Sequence, residues 1–96
     1  MNVIMDSNDP NFRFGFDRAI KYLKAGKKIA REGWNSKGMF LIFIDPYANN
    51  QYSVTEKPYM VGTLSSYIGM KTADNKLVPW LASQTDMLAE DWMVVA

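Results

Sequence analysis

Phe16, Ile20 and Leu23 recur at spacings of four and three, the stripe of an amphipathic helix. The turn signal Asn8-Asp9-Pro10-Asn11 precedes it and Gly26 ends it. Lys21, Lys24, Lys27 and Lys28 gather around its C-terminal end and Asp17 lies near its start, an arrangement that complements the helix dipole. The period then changes. Lys28 to Arg31 reads as a short strand with Ile29 on one face, and Glu32-Gly33-Trp34-Asn35 reads as a turn in a loop that Gly38 closes. Met39-Phe40-Leu41-Ile42-Phe43-Ile44 is a continuous apolar run of strand length. Its β-branched and aromatic content predicts a central buried strand, which Asp45-Pro46 stops.

Residues 45–66 carry Asn, Gln, Ser, Thr and two prolines without a period, so the pattern predicts a long, partly mobile surface excursion. Tyr67 to Thr72 and Lys76 to Val78 flank Ala73-Asp74-Asn75. The Asp-Asn pair tolerates the positive φ of a tight turn, which predicts a β-hairpin. Pro79-Trp80 ends its second arm. Ser83 and Asp86 have the spacing of a capping box, with Asp in place of the usual Glu or Gln, and open a short helix over Gln84 to Leu88. Trp92 to Val95 makes a final strand. Without an internal repeat or a linker, the elements add up to one α+β domain over 1–96. It has an antiparallel sheet, one main amphipathic helix, a short second helix and a partly flexible stretch over residues 1–15.

Composition narrows the chemistry. Ninety-six residues with 48% apolar content suit one compact domain. Eleven basic against ten acidic residues leave a net charge of +1, so no overall field favours a nucleic-acid polymer or an anionic membrane, and any anion is bound locally. The absence of Cys and His removes disulfides, thiolate nucleophiles, the commonest metal ligand and the side chain used most often as general base. No apolar stretch approaches the roughly 18 residues of a membrane span, and MNVIMDSNDP lacks the basic start and apolar run of a signal peptide, so the chain reads as soluble and unsecreted. No Gly-rich phosphate loop or metal-ligand spacing occurs, and neither a metal nor a cofactor is expected.

What remains is local. Arg31 can pair with a phosphate through two parallel donors, and the indole of Trp34, beside Asn35, offers a face for a base. An equally simple view makes Arg31 a solvated charge and Trp34 a lid on the core. Gly33 favours the surface for Trp34, because a turn presents the ring. Trp80 follows a proline that cannot donate to a ladder, which puts it at a strand end or edge where pocket walls are built; a buried core tryptophan is the rival reading. Ser83-Gln84-Thr85-Asp86 offers four hydrogen-bonding side chains at a helix start. Ser83 and Asp86 also read as its caps, which leaves Gln84 and Thr85 free for contact. Glu90 and Asp91 are adjacent and share no face, so they are not read as a catalytic dyad. Asp45 and Asp74 suit turns.

Residues 26–35 with 38–41, and residues 70–92, resemble the phage Thoeris anti-defence 2 family. The first segment reads GKKIAREGWN with GMFL, and the second runs from Met70 to Trp92 through Pro79-Trp80 and Ser83-Gln84-Thr85-Asp86. The resemblance implies a small phage-encoded sponge that binds cyclic ADP-ribose-type immune signals, notably a glycocyclic ADP-ribose, and releases them unaltered. It therefore implies no catalysis. It further implies a homotetramer with pockets between protomers, in the cytoplasm of the infected or lysogenic host, and in some members a separate site for cyclic dinucleotides. Trp34 and Trp80 match the family's tryptophans and would stack on the ligand's base. Arg31, Asn35, Ser83, Gln84, Thr85 and Asp86 would supply polar contacts. Two other classes compete: an enzyme that opens the cyclic nucleotide with Asp86 or Glu90 as base, and a protein-interaction module anchored by Trp34 and Trp80.

Overall fold

The computed structural model describes residues 11–34, 37–46 and 65–95. Helix α1 spans Phe16–Lys24 with Asp17 in its first turn and Lys21 and Lys24 in its last. It ends through Ala25 into Gly26, whose φ of +93° is the left-handed conformation that glycine adopts without strain. Five strands follow: β1 Lys28–Arg31, β2 Phe40–Ile44, β3 Tyr67–Lys71, β4 Leu77–Pro79 and, after helix α2 over Gln84–Leu88, β5 Trp92–Val95. They form one sheet of order β4-β3-β2-β1-β5, and every neighbouring pair is antiparallel. The α+β class read from the sequence is the class observed. The central strand is indeed β2.

Register explains the core. Val94 stands opposite Ile29, Ile29 opposite Leu41, Leu41 opposite Met70 and Met70 opposite Val78, so one apolar row crosses all five strands on a single face. Helix α1 lays Ala19 and Leu23 on that row, with Phe16 and Ile20 at its margin. This is the stripe read from the sequence. Strand β2 is buried on both faces, at Leu41 on one and at Ile42 and Ile44 on the other, which is why its apolar run is continuous and does not alternate. Gly69 in β3 stands opposite Ile42, where a Cβ would lie 3.1 Å from Leu77 and 3.2 Å from Ile44.

Two features lie beyond the sequence pattern. Phe14, two residues before α1, is buried and forms a two-way backbone bridge with Trp92, Phe14 N–H to Trp92 O at 3.0 Å and Trp92 N–H to Phe14 O at 3.1 Å. The edge strand β4 contains Pro79 itself, paired with Gly69, where a missing N–H removes a donor that a stray strand would otherwise use. The hairpin between β3 and β4 turns through Asn75 at φ +67°. The Thr72 N–H donates to Lys76 O at 2.8 Å. Most of the excursion expected over residues 45–66 lies outside the described residues, as does the turn signal at 8–10.

Candidate functional site

Two loops bring the tryptophans together. Arg31 closes β1, and its carbonyl accepts the Trp34 N–H at 2.9 Å across a turn in which Gly33 has φ +95°. The far end of this loop is held by Lys71, whose Nζ donates to the Gly38 carbonyl at 2.9 Å while lying 5.7 Å from the Phe40 ring centre. Trp80 leaves β4 with its N–H on the Ile68 carbonyl at 3.0 Å. The indoles of Trp34 and Trp80 meet edge to face, centroids 6.4 Å apart and planes at 75°. Both also stand nearly perpendicular to Trp92, at 5.5 and 6.0 Å, and Phe16 of α1 packs against Trp80 and Trp92.

Trp92 is fully buried, whereas Trp34 and Trp80 are half-buried. The rival views of Trp34 and Trp80 therefore meet halfway: one side of each ring belongs to the core cluster and the rest reaches the surface. Because the two planes are perpendicular and in contact, they form a corner. A base cannot lie sandwiched between them within one chain, but it can stack on one ring with its edge toward the other.

Beside this corner sits a charged brace. Arg31 Nε donates to Asp91 Oδ1 at 2.9 Å and its Nη1 donates to Asp86 Oδ1 at 3.0 Å. The second Asp86 oxygen accepts from the Ser83 N–H at 3.0 Å and the Ser83 hydroxyl at 2.9 Å, while the Asp86 N–H returns to Ser83 Oγ at 3.1 Å. This is the capping box at the start of α2. The Asp86 carbonyl accepts the Trp92 indole N–H at 3.0 Å, so the same residue satisfies the buried indole. Asp91 raises the Arg31 pKa, with Asp86 helping and partial burial opposing. Burial works to raise the Asp86 carboxyl, but the bonds from Ser83 and Arg31 prevail and hold it below the ordinary carboxylate range.

A model of the Thoeris anti-defense 2-like domain matches residues 14–95, from the buried Phe14 to the end of β5. The chain belongs to this family. It is 38% identical over 86 residues to "Thoeris anti-defense 2" of Bacillus phage SP01, across 88% of this chain and 97% of the phage protein. The match to the Thoeris anti-defense 2-like domain thus includes all three tryptophans, the brace and the cap.

Of the residues singled out from sequence, Trp34 and Trp80 converge, and Arg31, Asp86 and Ser83 are joined in one network at their side. Ser83 Oγ also lies 2.9 Å from Thr85 Oγ1, and Gln84 and Thr85 are exposed on the first turn of α2. Asn35 lies outside the described residues. Asp74 is the turn residue expected, pairing with Lys76 at 3.0 Å. Sequence reasoning missed Trp92 and Phe16 as members of the aromatic cluster and Asp91 as the partner of Arg31. The pairing of Arg31 with Trp92 across β1 and β5 is what makes them neighbours. Among the described residues no three Asp or Glu side chains converge as metal ligands would, and no helix is long and apolar enough to cross a membrane.

Proposed function

We propose that the chain acts against Thoeris defence by binding a cyclic nucleotide of the cyclic ADP-ribose kind, glycocyclic ADP-ribose first among them, and sequestering it unaltered. The observation that carries this reading is the half-exposed corner of Trp34 and Trp80 on the rigid backing of Trp92. It gives a purine a flat surface whose angle is fixed before binding, which lowers the cost of ordering the site. Family membership supports the role, since the phage relative carries the name Thoeris anti-defense 2. The exposed Gln84, Thr85 and Ser83 supply neutral polar groups beside the rings for ribose hydroxyls, with Asn35 as a further contact on the Trp34 loop.

The chemistry favours holding over cutting. Asp86, a candidate base, is engaged by Arg31 and Ser83, and its lowered pKa makes it a weak base. The exposed side chains of Leu81, Met87 and Leu88 offer apolar surface for self-association, and on this reading the protein works as a homotetramer with pockets between protomers, in the cytoplasm of an infected or lysogenic host. A separate site for cyclic dinucleotides belongs to the same reading. Titrating the protein calorimetrically with cyclic ADP-ribose isomers and cyclic dinucleotides, with native mass measured alongside, tests it. The bound ligand is then recovered by denaturation. Tight binding of a cyclic ADP-ribose isomer and recovery of intact ligand are expected; no binding, or recovery of an opened product, sinks the proposal. Were Trp34→Leu to dissolve an oligomer without changing affinity, the interaction-module reading would replace it.

A further inference from the structure

Arg31 joins the three chain segments that carry the tryptophans, two through its guanidinium and one through its backbone. Its backbone carbonyl accepts the N–H of Trp34. Asp86, on its Nη1, fixes Ser83, the N-cap of α2 three residues beyond Trp80, and caps the Trp92 indole through its carbonyl. Asp91, on its Nε, precedes Trp92, and its carbonyl accepts the Glu32 N–H at 3.0 Å. The Arg31 side chain is 26% exposed, and its carboxylate partners are 14% and 34% exposed, so all three charges are partly shielded from water.

The charge count argues against an anion here. Two carboxylates face one guanidinium, so a phosphate approaching Arg31 meets a local excess of negative charge. It would also compete for nitrogens already bonded to oxygen at 2.9 and 3.0 Å. An arginine that recognises phosphate presents an open fork. Here Nε and Nη1 are engaged from two directions by two separate residues, so neither fork of the guanidinium keeps both of its donors open, the geometry of a brace.

We propose that Arg31 and Asp91 are positioning residues: through the Asp91–Arg31–Asp86 brace they set the corner between Trp34 and Trp80, and Arg31 does not touch the phosphates of the ligand. For its ligand arm this rests on the nucleotide-binding reading above. The two roles predict opposite signs for one substitution. If Arg31 bound phosphate, Asp91→Asn would remove a competing carboxylate and tighten binding. If Arg31 is a brace, Asp91→Asn loosens the corner and weakens binding.

The test uses the full chain as wild type, Asp91→Asn, Arg31→Lys and the charge swap Arg31→Asp/Asp91→Arg. Near-ultraviolet circular dichroism of the ligand-free protein reads the packing of the three indoles, and calorimetry with glycocyclic ADP-ribose reads affinity. Asp91→Asn and Arg31→Lys are both expected to flatten the tryptophan bands while far-ultraviolet signal persists. Both are expected to weaken binding about tenfold or more, the loss of one charge-assisted hydrogen bond. The charge swap is expected to restore the tryptophan bands in part. Unchanged near-ultraviolet spectra in both single variants, or equal or tighter binding by Asp91→Asn, overturn the proposal. Absence of binding by the wild type sinks the sequestration reading instead, and the spectra of the ligand-free variants still decide the brace. Should Asp91→Asn fail to fold, Arg31→Lys, which keeps the charge but cannot span two carboxylates, decides the brace by its own spectrum and affinity.

Discussion

On the proposed function Trp34 has two jobs on one ring, and a substitution can separate them. Its edge-to-face contacts with Trp80 and Trp92 need apolar volume, whereas stacking on a base needs a π face. Trp34→Leu keeps most of the first and removes the second. Stacking is worth on the order of 1–3 kcal/mol per base, so the variant is expected to bind glycocyclic ADP-ribose roughly 5- to 150-fold more weakly by calorimetry, with Trp34→Phe in between. Asp86 is the other residue whose chemistry can be read directly. Because Ser83 and Arg31 hold its carboxyl below the ordinary range, its stabilising effect is complete above the unfolded-state pKa. That effect is lost as pH falls through its own lower value. Urea midpoints measured below about pH 4 should therefore drop steeply in wild type and more gradually in Asp86→Asn, which starts from lower stability at neutral pH. An equal acid slope in the two proteins would show that Asp86 carries none of this dependence.

At the scale of elements, helix α2 is the piece most exposed to a single change. It is five residues long with none of them buried, too short to persist on propensity, and the capping box supplies what packing does not. Ser83→Ala removes the acceptor of the Asp86 N–H and a donor to its carboxylate. It is expected to cost about 1 kcal/mol and to lower Tm by roughly 4–8 °C in a domain of this size, measured by thermal denaturation. A shift well under a degree would place the helix start in other hands. Such local devices were legible in the sequence because they are decided within one turn of chain. The stripe of α1, the stop at Gly26, the Ser83–Asp86 spacing, the Asp74-Asn75 turn and the apolar run of β2 all appear where the pattern predicts them. Phe14 was not legible: two residues before a helix, it follows no period, and only its bridge to Trp92 gives it a place in the core.

Across the whole molecule, the site depends on register that no local pattern contains. Arg31 and Asp91 are 60 positions apart, and they meet because β5 returns antiparallel to β1 with Trp92 opposite Arg31. From sequence, Arg31 therefore reads as a phosphate partner or a solvated charge, and Asp91 as half of an adjacent acidic pair. Likewise the spacing of Trp34 and Trp80 says nothing of a third indole wedged against both. On the sequestration reading, this arrangement makes ligand binding and folding one linked equilibrium, because the two loops that form the corner are drawn from opposite halves of the chain. A ligand that binds only the folded state stabilises it by about 2.7 kcal/mol at a free concentration one hundred times Kd. For a domain of this size that amounts to a rise in Tm of roughly 10–20 °C. Sequestration requires the rise to persist for as long as the ligand is present and to vanish on its removal. An enzyme that opens the cyclic nucleotide consumes its own stabiliser, so Tm would decay back toward the ligand-free value with incubation time. Thermal scans of one sample of protein with a modest excess of glycocyclic ADP-ribose, taken at intervals over a day, therefore separate holding from cutting without any assay for product, and a constant Tm is the outcome expected.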